Sequence, residues 1–210
     1  METFGYITLN ISFIIYCINF LPQTIHNQIK HKTFEISLLT HSLMIIANSF
    51  DLIYAIGFNM QWQYILVDII LLIFLIIQQF QILNDNRQKK IYIHTLCVFI
   101  FLFVVLIIIF LVQINNNILL LFGVISSFIY NVYWLPQIYK NYHNKQAEGF
   151  SIFYLSLTFF GAICDISSGI FLDWPLVSII SSSCLSILIF IQIMQYIYYK
   201  QLNQKQTCSI

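Results

Sequence analysis

Charge is what this sequence has least of. Asp, Glu, Lys and Arg make up 8% of its 210 residues, while 60% are hydrophobic. A soluble domain carries about a quarter charged residues, so this chain cannot present a hydrated surface all round. A water-soluble globular domain is excluded, and membrane burial takes the place of a soluble core. Proline and glycine are scarce too, at three and six residues. The five cysteines (Cys17, Cys97, Cys164, Cys184, Cys208) are odd in number and form no Cys-x-x-Cys pair. Neither a disulfide framework nor a zinc site is indicated, and they read as small reduced hydrophobes. There is no His-Glu-x-x-His, no Gly-x-Ser-x-Gly, no phosphate-binding glycine loop and no acidic cluster with metal spacing. The sequence therefore offers no catalytic set, no metal site and no cofactor, and an enzyme is not expected. No basic stripe exists to meet nucleic acid. Met1-Glu2-Thr3 precedes the first apolar run without a basic residue, so a retained first helix is expected rather than a cleaved signal peptide.

What is present is a series of long apolar runs, each able to cross a bilayer core of roughly 30 Å as a helix of about 20 residues. They fall at 4–26, 37–57, 61–83, 91–112, 117–140, 150–171 and 174–199. Pro175 suits the first turn of the last helix, where its missing N–H leaves nothing unbonded. On this layout Lys30, Lys32, Arg87, Lys89, Lys90, Lys140, Lys145, Lys200 and Lys205 all fall on one side. By the positive-inside rule that side is cytosolic, which places the N-terminus in the lumen and the tail at 200–210 in the cytosol. Six or eight spans would break this pattern.

The chain also repeats itself. Leu21-Pro22-Gln23, closing at Ser37, returns 114 positions later as Leu135-Pro136-Gln137, closing at Ser151. At that offset Ser12/Ser126, Tyr16/Tyr130, Asn27/Asn141, Ser42/Ser156 and Asp51/Asp165 are also identical, with no gap over residues 11–51. The expected fold is an all-α polytopic membrane protein of seven helices. Repeat 1 (4–83) and repeat 2 (117–199) form two parallel three-helix bundles, joined by a linker helix at 91–112. An odd number of spans per unit plus one linker returns the second unit in the same orientation, about an axis along the membrane normal.

Candidate functional residues follow from chemistry at membrane depth. A proline inside a helix removes one hydrogen bond and exposes the carbonyl four residues back. Pro22 and Pro136, with Gln23 and Gln137, thus read as paired hinges. Asp51, Asp68 and Asp165 lie roughly 10 Å inside the luminal ends of their spans, with no Lys or Arg at that depth. Such acids usually face a cavity or ion path, and they are the expected proton or cation sites. Asn48 and Asn131 suit contact with a zwitterionic solute, with Tyr130 and Trp134 beside the second proline. His41 reads as an interior histidine. Tyr199-Lys200-Gln201-Leu202 has the spacing that endosomal and lysosomal sorting adaptors read.

The Pro-Gln pair, Asn141 and Lys145-Gln146-Ala147-Glu148-Gly149-Phe150-Ser151 resemble the PQ-loop family, within it cystinosin and the lysosomal or vacuolar cationic amino acid exporters. The first copy has Glu35 in place of Gly149 and His31 in place of Lys145. Asp68-Ile69-Ile70-Leu71-Leu72 resembles a family aspartate in the third span. Thr158 stands where cystinosin-like members carry an acid in span six. Ala47-Asn48 stands where the exporters carry Gly-Asp, and Ser186 near their last-span acid. The resemblance implies proton-driven export of a small solute, such as an amino acid, from a lysosome or vacuole by rocking of two bundles. The partners so implied are a small-molecule solute, protons and the lipid bilayer, with no nucleic acid and an open oligomeric state. The same fold serves neutral-solute (sugar) uniporters of the SWEET type, KDEL-receptor-like cargo receptors and scaffolds. A cargo receptor would need a basic luminal pocket, and no Lys or Arg lies at that depth.

Overall fold

The computed structural model describes residues 2–31, 33–60, 62–85, 88–111, 115–173 and 176–207. Lys32, Arg87, Pro175 and Cys208, placed above by sequence, lie outside them. Nine α-helical segments run through the described residues. They are α1 (Glu2–Ile18), α2 (Phe20–Lys30), α3 (Leu38–Gly57), α4 (Trp62–Asp85), α5 (Lys89–Leu111), α6 (Asn116–Val132), α7 (Leu135–Asn144), α8 (Ile152–Phe171) and α9 (Leu176–Thr207). A 3-10 turn at Thr33–Glu35 leads into α3. Among the described residues seven stretches are long and apolar enough to span a membrane. Two of these are broken helices, Glu2–Lys30 (α1 with α2) and Asn116–Asn144 (α6 with α7). The chain is an integral membrane protein of seven spans.

Each break is one or two residues long and keeps helical dihedrals, at Asn19 (φ −61°, ψ −31°) and at Tyr133 (φ −65°, ψ −18°) and Trp134 (φ −79°, ψ −21°), so a lost hydrogen bond interrupts the helix without turning the chain out of it. Pro22 is the third residue of α2 and Pro136 the second of α7, both in a first turn, where the absent N–H is no loss. α1 stops at Ile18 and α6 at Val132, the residues whose carbonyls a proline four positions on cannot serve. Because each half-helix restarts cleanly, α2 continues to Lys30 and α7 to Asn144, beyond the limits of 26 and 140 read from sequence. Lys30 is therefore the last residue of α2, and Lys140 lies inside α7. A left-handed residue closes each half-helix, His31 (φ 50°) and Lys145 (φ 55°), whose N–H returns to the carbonyl of Asn27 and of Asn141 respectively. Those two closing residues are again 114 positions apart. The last helix also outruns its expected limit, reaching Thr207. Tyr199 is helical and only 5% exposed, so it is not presented as an adaptor signal.

The spans form two three-helix bundles, α1/α2 with α3 and α4, and α6/α7 with α8 and α9. The linker α5 packs on α3 and α4. The bundles meet along two equivalent seams, α1 against α8 and α3 against α6. Both seams depend on small residues, since lipid gives no hydrophobic drive for helices to associate and close backbone approach must supply contact. A Cβ at Gly123 would stand 2.8 Å from the Tyr54 ring, and one at Gly161 would stand 3.1 Å from that of Tyr16. A buried core including Phe20, Ile45, Leu75, Trp134, Phe150 and Tyr154 draws on both bundles.

Candidate functional site

One end of the molecule carries Lys30, Lys89, Lys90, Lys140, Lys145 and Lys200. There the Pro-Gln glutamines tie the bundles together. Gln23 Oε1 accepts the Ser151 backbone N–H (2.6 Å), and its Nε2 donates to the Gly149 carbonyl (3.0 Å) and to Asn27 Oδ1 (2.8 Å). Gln137 does the same in mirror: Oε1 accepts the Ser37 N–H (2.5 Å), and Nε2 donates to the Glu35 carbonyl (3.0 Å) and Asn141 Oδ1 (2.8 Å). Each amide sits on one bundle and grips the backbone entering a helix of the other. A side-chain amide offers one acceptor and two donors on a short fork, which is what a carbonyl and an N–H two residues apart require.

A second tier holds the glutamines in place. Asn27 donates to Gln81 Oε1 (2.9 Å) and Asn141 to Gln195 Oε1 (3.2 Å). Gln81 and Gln195 return to the carbonyls of Thr24 (3.0 Å) and Ile138 (3.1 Å). His26 Nε2 lies 2.8 Å from the Glu148 carbonyl, and its repeat counterpart Lys140 donates to the Phe34 carbonyl at 2.6 Å. Behind this clamp, between α2 and α4, a groove of about 450 Å³ is lined by Thr24, Gln28, His31, Phe80, Asn84 and Asp85.

At the opposite end the seams are latched by aspartates. On α1–α8, the Tyr16 hydroxyl donates to Asp165 Oδ2 (2.7 Å), and Thr8 Oγ1 lies 2.8 Å from Ser168 Oγ. On α3–α6, Ser126 Oγ lies 3.2 Å from Asp51 Oδ1. Tyr130 does not complete the copy, because its hydroxyl donates to Asn48 Oδ1 (3.3 Å) instead. Asn48, whose counterpart is Ala162, makes the difference. Its Nδ2 donates to the Asp68 carbonyl (2.7 Å), which ties α4 to the seam. The carboxyls of Asp68 and Asp51 are close enough to interact electrostatically. The first bundle thus carries two acids at this end and the second carries one, since Ser182 takes the place of Asp68. Among the described residues no Lys or Arg pairs with any of the three.

The structure gathers Asn48, Asp51, Asp68 and Tyr130 at one seam and sets Asp165 at the other. Asn131 stays inside the second bundle, donating to the Ser127 carbonyl (2.9 Å) and accepting from Ser181 (3.3 Å). Trp134 is fully buried, edge-on to Phe150 at 5.0 Å, and its indole Nε1–H has no hydrogen-bond partner. His41 is an interior histidine, with Nδ1 3.1 Å from Gln78 Oε1. Sequence reasoning assigned no role to Tyr16, Ser126, Asn27 or Asn141, although each is a member of an identical repeat pair. Gln78/Gln192 and Gln81/Gln195 obey the same offset beyond residues 11–51, and that signal would have found the second tier.

Comparison with known proteins agrees with this twofold plan. The family described as PQ loop repeat matches residues 4–64 and 118–178, two stretches displaced by the same 114 positions. Curated protein sequences give no match. Among solved structures, one described as a 3.7 Å structure of a eukaryotic SWEET transporter aligns over 95% of this chain and 98% of its own. The TM-score is 0.64 and the identity 15%, so the two share a fold. With both matched stretches covering more than half of its length and a Pro-Gln pair at each helix break, this chain belongs to the PQ-loop repeat family.

Proposed function

We propose that the protein is an alternating-access carrier that moves a small solute, an amino acid such as cystine or a cationic amino acid, together with protons. The direction is from an acidic organelle, lysosome or vacuole, to the cytosol. One observation carries this reading: the bundles are joined at each end by polar contacts made twice, and the two ends use different chemistry. A hydrogen-bonded clamp can exchange its partners for water at small net cost, about 0.5–1.5 kcal/mol per bond, so either end can open while the other stays shut. The lysine-rich end is taken as cytosolic by the positive-inside rule. Gln23 and Gln137 form the cytosolic gate, and the aspartate latches form the luminal one. Pro22 and Pro136 serve as hinges. Asp51 with Asp68 at one seam and Asp165 at the other take up the protons, Asp51 and Asp165 being the equivalent pair, and Asn48 and Tyr130 meet the solute. Asn131 and Trp134 keep a supporting part.

Uptake into reconstituted vesicles under an imposed pH gradient tests it. Uptake that responds to the gradient, and loses that response in Asp51→Asn with Asp165→Asn, is expected. Transport indifferent to both pH and these substitutions removes proton coupling. A second reading, a uniporter of sugar or another neutral solute, draws on the bond between Asp165 and Tyr16, which gives that acid a structural task. Saturable transport without pH dependence selects it.

A further inference from the structure

The break between α1 and α2 has a chemistry that its copy between α6 and α7 lacks. Asn19 occupies the break and is 2% exposed. Its Nδ2 donates to Thr158 Oγ1 on α8 at 3.4 Å. The Thr158 hydroxyl spends its own proton on the Tyr154 carbonyl (2.9 Å), so at Asn19 it can only accept, and this fixes which way the amide points. Asn19 Oδ1 is left as a buried acceptor with no hydrogen-bond partner. Several buried polar atoms lack a partner among the described residues, and Asn19 Oδ1 is the acceptor among them that lies at a helix break.

The surroundings select the kind of donor. Pro22 has no N–H for the Ile18 carbonyl, which adds a second acceptor one residue away. Asn19 keeps helical dihedrals (φ −61°, ψ −31°) and its own N–H bonds the Ile15 carbonyl (2.8 Å), so the break leaves acceptors rather than donors. Phe20, the next residue, packs its ring 4.7 Å from that of Tyr154, and aromatic faces attract cations. At the positions 114 residues away Tyr133 replaces Asn19 and Met44 replaces Thr158, so the molecule has this arrangement once.

We propose that the α1–α2 break is the subsite for the positively charged amino group of the transported solute, with Asn19 Oδ1 and the Ile18 carbonyl as its acceptors. This rests on the carrier reading and narrows it, because a neutral sugar has no ammonium to place there.

The test is a thermal-shift titration of the purified full chain with proteinogenic amino acids, the N-acetyl derivative of each, and glucose. At least one amino acid is expected to stabilise the protein while its N-acetyl derivative does not. A hydrogen bond to a charged group contributes enough that Asn19→Leu should weaken apparent affinity about tenfold or more. Asn19→Asp, which keeps an acceptor and adds charge, should retain or strengthen it. Stabilisation by no amino acid, by glucose alone, equally by N-acetyl derivatives, or unchanged in Asn19→Leu overturns the subsite. If Asn19→Leu does not fold, the N-acetyl comparison and Asn19→Asp decide, and weaker amino acid binding by Asn19→Asp overturns it. Gradient-driven flux of a sugar would leave the carrier standing while removing this subsite.

Discussion

Gly149 lies against the backbone of Glu35, its own counterpart 114 positions earlier: a Cβ on Gly149 would stand 2.8 Å from the Glu35 carbonyl carbon and 2.9 Å from its oxygen. Two equivalent residues face each other only where the pseudo-twofold axis passes, and there the chains are too close for two side chains. Because the nearest atoms belong to the Glu35 backbone, position 149 must be glycine. The same reasoning explains why the first Pro-Gln motif lacks the glycine of the second. Glu35 already fills the shared space, with its Cβ 3.0 Å from where a Gly149 Cβ would be.

Gly149→Ala should therefore force the lysine-rich end apart, whereas Glu35→Gly should leave the closure intact. Hydrogen exchange at the Ser151 and Ser37 amides reads this directly, since both are held by the clamp glutamines. Faster exchange in Gly149→Ala and little change in Glu35→Gly are expected. Unchanged exchange in Gly149→Ala contradicts the axial contact.

Gln23→Leu and Gln137→Leu should act alike. Each strands a buried N–H, a carbonyl and an asparagine oxygen, and one such orphan costs about 1–3 kcal/mol. Exchange at Ser151 in the first variant, and at Ser37 in the second, should rise about tenfold or more. A large effect from only one of the two would show that the clamps are not equivalent.

The latches should not act alike. Tyr16→Phe removes a 2.7 Å bond to Asp165, and the loss of such a buried bond costs about 1–3 kcal/mol. Thermal unfolding should fall by several degrees, at roughly 2–4 °C per kcal/mol for a chain of this size. Tyr130→Phe removes only a 3.3 Å bond to Asn48, and should cost less than half as much. Equal losses would argue against the asymmetry that Asn48 introduces.

Much of this was legible in the residues themselves. The alternating placement of Lys and Arg fixes seven spans, because a misplaced span would put charge on both sides. The offset of 114 fixes two parallel units and marks Gln23 and Gln137 as a pair, but not that each would grip the backbone of the other bundle, which depends on where Gly149–Ser151 and Glu35–Ser37 lie in space. The half-helix restarts at Phe20 and Leu135 were less legible, since a proline inside a long apolar run has the same sequence whether it kinks a helix or begins one. The diversion of Tyr130 from Asp51 to Asn48 was hidden for another reason. It depends on which neighbour a hydroxyl reaches in space, and the repeat alone predicts a bond like that of Tyr16 to Asp165. Asn131 stood near the second proline in sequence, but its bonds to the Ser127 carbonyl and to Ser181 keep it within its own bundle.

Solute movement coupled to protons is tested most directly by labelled amino acid uptake into vesicles, comparing acid outside with equal pH on both sides. Acid on the side of the aspartate latches supplies the proton that loads them, so uptake should be several-fold higher under the gradient. It should decline as external pH rises, collapse with a protonophore, and lose its pH response in Asp51→Asn with Asp165→Asn. Uptake of the same size with and without the gradient, in the unsubstituted protein and in that variant alike, would contradict proton coupling.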